Sequence, residues 1–194
     1  VFHKQVCLLD FYEQFRSLLN TSTGVIQDIY TPAPKVLFHY SPWGAKNLAK
    51  YFRPYLQNLL CIAEDHCQPS NGISLRNETD MWGFPKLRVV SKYTENDVKR
   101  RNFLIAQAKR ILRKARGIKS VVYPIESFSH AVGSLRLADN SSEGVLDKDC
   151  RVFGYENLFV VDWSFMPTSA GVNPSLTIAE NAIRVADRIT KGSR

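Results

Sequence analysis

Apolar residues at Leu104, Ala108, Ile111 and Ala115 recur at i, i+4, i+7 and i+11, the spacing of one helix face. Thr94 with Asp97 three residues on predicts a capping box at the start of that helix, and Gly117 is placed to stop it. Leu176, Ala179, Ile183 and Ala186 mark the buried stripe of a second helix. That helix is expected to begin at Pro174, with Asn173 as its cap, since both residues are favoured in those places. Weaker periodicity predicts a helix over Leu8–Leu19 and helical turns on either side of Pro54. Between the helices the grammar is that of strands. "LCIAED", "GISLRN" and "PKLRVVSKY" are separated by the turn-forming "HCQPSN" and "ETDMWGF", and read as adjacent antiparallel strands. "SVVYP" reads as a short strand and the "TPAPKVLFHYSPWG" stretch as an extended connection. The unbroken run Leu158 to Val161 reads as a strand buried on both faces, as in a parallel sheet. Tyr40, Trp43 and Trp82 read as core aromatics.

Composition changes this picture little. The 194 residues are 44% hydrophobic and 11% aromatic, which places the chain among folded globular proteins. No apolar run reaches the length of a membrane span, and no signal peptide is visible at the opening Val-Phe-His. The expectation is a piece of something longer. Charge matters more: the formal net charge is +8, and "VKRRNFLIAQAKRILRKARGIKS" holds nine Lys or Arg without one acid. A solvated basic face on a helix that covers a sheet is the preferred reading. The alternative is a nucleic-acid or acidic-surface module centred on residues 99–119, but no aromatic platform or recognition motif accompanies it. Cys7, Cys61, Cys67 and Cys150 form no CxxC pair and no metal spacing, so no metal is expected. Sequons stand at Asn20, Asn77 and Asn140.

Candidate chemistry is sparse. Of His3, His39, His66 and His130, only His130 sits among small residues, in "SHAVGS", where a backbone can pass close to a ligand. An imidazole there can take a proton from a hydroxyl near neutral pH. At Asn173 the chain leaves two possibilities open: the side-chain amide caps the helix, or it reaches into a site. The helix N-terminus itself carries unpaired N–H groups and partial positive charge, suited to an anionic cofactor.

"SHAVGSLRLAD" and "VLDKDCRVFGYENLFVVDWSFMPTSAGVNPSLTIAENAIRVADRI" together resemble the C-terminal signature of the glucose–methanol–choline (GMC) family of flavin oxidoreductases. "LRNETDMWGFPKLRVVSKYTEND" is similar to the substrate-domain strands of bacterial-type members. The resemblance covers roughly residues 55–194. It implies an α/β fold of mixed α+β character: an antiparallel substrate-domain sheet with covering helices over 1–125. Residues 126–194 would then supply the C-terminal strand and helix of a Rossmann-like FAD-binding domain. It further implies FAD as cofactor and a small alcohol, sugar or polyol as substrate, oxidised by hydride transfer to the flavin, with the final electron acceptor left undefined. His130 matches the family's catalytic histidine, the general base. Asn173 matches the second catalytic position, which orients the substrate oxygen. Asp162 and Trp163 match the loop along the FAD chain, and Asn173, Pro174 and Ser175 the segment facing the flavin's pyrimidine edge. The family often has Asp-Gly or Asp-Ala where this chain has Asp162-Trp163, and Arg-Met-Gly where it has Arg136-Leu137-Ala138. No G-x-G-x-x-G occurs, so the pyrophosphate cradle is expected on a missing N-terminal half of the same enzyme. No nucleic-acid partner is expected. An inactive, truncated relative is the remaining alternative.

Overall fold

The computed structural model describes residues 6–31, 33, 51–123 and 131–192. The expectations at His3, His39, Tyr40, Trp43 and His130 lie outside these residues. The architecture is mixed α/β with antiparallel sheets. A three-stranded sheet runs in the order β1 (Cys7–Leu8), β2 (Gly24–Ile29), β3 (Asn58–Ala63), with every pairing antiparallel. Between β1 and β2 the expected helix shrinks to one turn, α1 (Arg16–Leu19). Asn20 ends it in a left-handed conformation, which asparagine tolerates. Around Pro54 the helical Tyr51 and Phe52 run into a 3₁₀ turn, Arg53–Tyr55, before β3 begins.

The middle strand β2 has no alternation to announce it. All six residues Ser22–Gln27 are buried, so polar and apolar side chains alike point into packed surroundings. The long helix α2 (Glu95–Lys114) lies across β2 and β3 and buries Ile26, Leu104 and Ala108. Leu8, Phe11, Leu59, Cys61, Phe103 and Ile111 pack around that core. The Phe103 ring takes Phe11 and Phe15 edge-on, with centroids 6.0 and 5.4 Å away. Such edge-to-face pairs add about 0.5–1.5 kcal/mol beyond their buried area.

Both predicted ends of α2 form. Thr94 Oγ1 accepts from the Asp97 N–H at 3.1 Å, and the Asp97 carboxylate accepts from the Thr94 N–H at 2.6 Å. At the other end Gly117 N–H donates to Leu112 O and Arg116 N–H to Arg113 O, a Schellman arrangement. The left-handed position, φ 64°, falls on Arg116 rather than on the glycine. Gly117 is needed for another reason: a Cβ there would stand 2.9 Å from the Leu112 carbonyl oxygen.

Two of the predicted strands pair as expected. β4 (Gly72–Thr79) and β5 (Pro85–Val90) form an antiparallel hairpin. β3, however, pairs with β2 and not with β4. Asp80 accepts the Trp82 and Phe84 N–H groups in the hairpin's turn. That turn holds Trp82 73% exposed, which corrects its reading as a core aromatic.

The C-terminal segment departs further from expectation. Residues 121–123 form no strand, and Leu158–Val161 contributes only an isolated bridge, Arg151 with Phe159. A doubly buried parallel strand needs a strand on each side, and the described residues place none there. In its stead the chain folds tightly on the buried Leu146 and Cys150.

The last helix, α3 (Ser175–Gly192), starts one residue later than expected. Pro174 O accepts the first helical bond, from Ile178 N–H, so the buried Pro174 takes the cap position and Asn173 lies just outside. Its expected stripe also fails: Leu176 is 81% and Ile183 66% exposed, while Val185 is buried. Apolar residues cover about half the circumference of α3, a wider arc than a single neighbour can bury. The Ile178–Ala182–Val185 edge turns inward, and the Leu176–Ile183 edge does not.

Candidate functional site

The loop ahead of α3 is tied residue by residue to the segment that follows β3 and to the connection between β1 and β2. Cys67 N–H donates to Pro167 O at 3.4 Å, His66 bridges Thr168, and Ser169 N–H donates to Asp65 O at 3.1 Å. Thr168 Oγ1 donates to Glu64 Oε1 at 2.6 Å, and Tyr12 Oη donates to Ala170 O at 3.0 Å. Gly171, at φ 61°, comes so near Gly24 that a Cβ on it would lie 2.7 Å from the Gly24 Cα. Only glycine fits both the conformation and the gap.

Asn173 is thereby delivered beside β2. Its Nδ2 donates to Gln27 Oε1 at 2.9 Å across a sequence separation of 146 residues. The amide therefore does not cap α3. Pro174 and Ile178 form one wall of an open cleft of about 340 Å³. Ala131 and Ser134, from the loop that follows His130, and Asp162, Trp163 and Ser164 complete it. Segments separate in sequence thus meet in one place, and they include Asp162, Trp163 and Pro174 of the predicted site. Ser175 follows Pro174 as the exposed first residue of α3.

Within the cleft, Asp162 spends its carboxylate on its own turn: Oδ1 accepts from the Ser164 N–H at 2.9 Å and from the Ser164 hydroxyl. This starts the 3₁₀ turn Trp163–Phe165 and fixes the Trp163 backbone. Trp163 is only 6% exposed, and its indole Nε1 is buried without a hydrogen-bond partner. A buried donor left unmade costs about 1–3 kcal/mol, which a ligand acceptor in the cleft would recover. The N–H groups of Ser175, Leu176 and Thr177, in the first turn of α3, have no intrahelical acceptor. Together these donors suit an electron-rich, partly anionic group. Among the described residues no cluster of His, Cys, Asp and Glu could hold a metal ion. None of their helices is long and apolar enough to cross a membrane.

Behind the loop lies a polar cluster that the residue pattern does not announce. Arg100, 1% exposed, sits on α2 amid the basic run. Its Nε donates to Glu64 O at 2.9 Å and Nη1 to Thr21 Oγ1 at 2.7 Å. Nη2 pairs with Asp97 Oδ1 and meets His66 Nδ1 at 3.1 Å. One guanidinium so joins α2 to the strand end that carries the Thr168 loop. The other eight cations of the run, from Lys99 and Arg101 through Lys109, Arg110, Arg113, Lys114 and Arg116 to Lys119, are exposed.

Residues 68–182 match the family described as GMC oxidoreductase. The chain is 35% identical over 133 residues to 6'''-hydroxyparomomycin C oxidase of Streptomyces lividus, covering 66% of this chain and 24% of that protein. It is 34% identical to paromamine 6'-oxidase of Streptomyces fradiae, over 66% of this chain and 24% of that protein. It is 31% identical to 2-methyl-1,2-propanediol dehydrogenase of Mycolicibacterium austroafricanum, over 84% of this chain and 30% of that protein. The chain thus spans 24% to 30% of the length of these curated relatives. By the match over 68–182 and by these relatives, the chain belongs to the GMC oxidoreductase family.

Proposed function

We propose that the chain carries the catalytic end of an FAD-dependent enzyme that oxidises the CH–OH group of an alcohol, sugar or polyol. The observation that carries this reading is the cleft in which Ala131, Ser134, Asp162, Trp163 and Pro174 meet at the start of α3, in a chain of this family. His130, one residue before the cleft-lining Ala131, takes the hydroxyl proton as general base. Asn173 hydrogen-bonds the substrate oxygen and orients it. FAD, when bound, supplies the hydride acceptor. Trp163 Nε1 and the α3 N-terminal N–H groups offer it hydrogen bonds and a favourable field for negative charge. The relatives named for oxidising paromamine, 6'''-hydroxyparomomycin C and 2-methyl-1,2-propanediol all point to hydroxyl-bearing substrates. Residues 126–194 would belong to a Rossmann-like FAD domain whose glycine-rich pyrophosphate cradle lies on another part of the same enzyme. The 194-residue chain by itself then holds FAD weakly and turns over no alcohol.

The test is anaerobic mixing of the full-length, FAD-loaded enzyme with candidate alcohols and amino sugars while the flavin absorbance is followed. Bleaching by a hydroxyl compound is expected, slowed at least about 100-fold in His130→Ala. Flavin reduction at the wild-type rate in that variant overturns the role of His130.

A further inference from the structure

Gln27 is an expensive residue where it stands. It is 6% exposed, on the middle strand of the sheet, next to the core residues Val25 and Ile26. A buried amide without partners costs more than an aliphatic side chain in the same place, so its retention needs a polar partner. The backbone around it is held from both sides, since Gln27 pairs with Cys7 of β1 and with Leu60 of β3. Its side chain is therefore mounted on a rigid element, while Asn173 comes at the end of an irregular loop and is exposed. The bond between them joins Gln27 Oε1 to Asn173 Nδ2 at 2.9 Å.

We propose that Gln27 is a positioning residue that fixes the side-chain rotamer and amide orientation of Asn173, an inference that rests on the functional reading above. By accepting one Nδ2 proton, Gln27 decides which end of the Asn173 amide faces the sheet. Oδ1 and the second N–H are left for the substrate hydroxyl. A loop asparagine without this anchor spreads over several rotamers, and reaction proceeds from only one of them. The anchor thus acts on the rate of the oriented complex more than on the affinity for substrate.

The experiment uses the full-length flavin-loaded enzyme and the variants Gln27→Leu, Gln27→Glu, Asn173→Ala and the double variant Gln27→Leu/Asn173→Ala. Gln27→Leu is expected to lower the limiting rate of anaerobic flavin reduction about tenfold with less than about a twofold change in KM. Gln27→Glu keeps an acceptor at the same reach and is expected to stay within about threefold of wild type. The double variant is expected to be no slower than Asn173→Ala alone, because the two residues act as one unit. In the ¹H–¹⁵N spectrum, the Asn173 side-chain amide proton should lose its hydrogen-bonded shift in Gln27→Leu and keep it in Gln27→Glu. Gln27→Met, which retains side-chain length, replaces the leucine variant if the latter does not fold.

Additive losses in the double variant overturn the inference, since Gln27 would then act through the fold and not through Asn173. So does a slow Asn173→Ala beside an unaffected Gln27→Leu, which leaves the functional reading standing. A wild-type rate in Asn173→Ala overturns the functional reading, and this inference with it.

Discussion

Replacing Arg100 by leucine tests whether one cation in the basic run behaves differently from all its neighbours. The guanidinium is 1% exposed and reaches four groups: Glu64 O, Thr21 Oγ1, His66 Nδ1 and the Asp97 carboxylate. Hydrogen bonds to a charged group contribute about 1.5–3 kcal/mol each, so the four set an upper limit that no real variant attains. Relaxation takes back part of it. Asp97 keeps both bonds to Thr94, and half-buried His66 can turn to water. What is not recovered is the Asp97 charge, 4% exposed and now without its cation. Breaking a buried pair in this one-sided way costs about 3–5 kcal/mol, and that is the expected loss for Arg100→Leu. Urea unfolding followed by circular dichroism measures it as a fall in the midpoint at unchanged m-value. Arg101→Leu, at the exposed neighbour, should stay within about 0.5 kcal/mol of wild type. Arg100→Lys keeps the charge but not the fork and should fall between the two. A loss below about 1 kcal/mol in Arg100→Leu refutes the reasoning, because the pair would then be no better than a solvated one.

Three further outcomes follow from local geometry. Arg116→Gly should raise stability by about 0.5–1 kcal/mol, since Arg116 holds the left-handed position of the α2 terminus, whereas Gly117→Ala should lower it by a similar amount; thermal melts of both decide. Trp163→Phe keeps most of the ring and removes the orphan N–H, so FAD should leave the full-length enzyme about fivefold more readily, measured by flavin fluorescence on dilution. Burial pushes the Cys61 thiol from 9.0 up to about 11. The folded state therefore holds its proton where the unfolded chain has lost it, and stability contributed by this group is full below pH 9.0 and falls as pH rises toward about 11. Urea titrations at pH 8, 9 and 10 should show that decline, and it should shrink in Cys61→Ala.

What could be read from the sequence was local, and what could not be read was the product of distant partners. The ends of α2 were legible because Thr94, Asp97 and Gly117 act within a turn of one another. The hairpin β4–β5 was legible because its turn residues and strand composition are contiguous. The family pattern marks Asp162, Trp163 and Pro174, three residues that line the cleft. β2 was not legible, since Ser22–Gln27 is buried without a break and shows no alternation. Arg100 was hidden among nine cations, because burial depends on Thr21 and Glu64, far away along the chain. The inward edge of α3 could not be chosen from its own residues, as either half of its apolar arc can face a neighbour. The Gln27–Asn173 bond had no signal at all: neither residue implies the other across 146 positions.

The fastening of the loop before α3 bears on how the site can move. From Pro167 to Gly171 each residue but one is bonded or bridged to the β-sheet side, and the remaining one, Gly171, is jammed against Gly24. This stretch has no slack of its own and must travel with the sheet as a rigid body. Any breathing that widens the cleft is left to the wall carried by Ala131 and Ser134 and to the tilt of α3 about Pro174. Substrate entry would then swing one jaw against a fixed anvil, and Asn173 stands on the anvil.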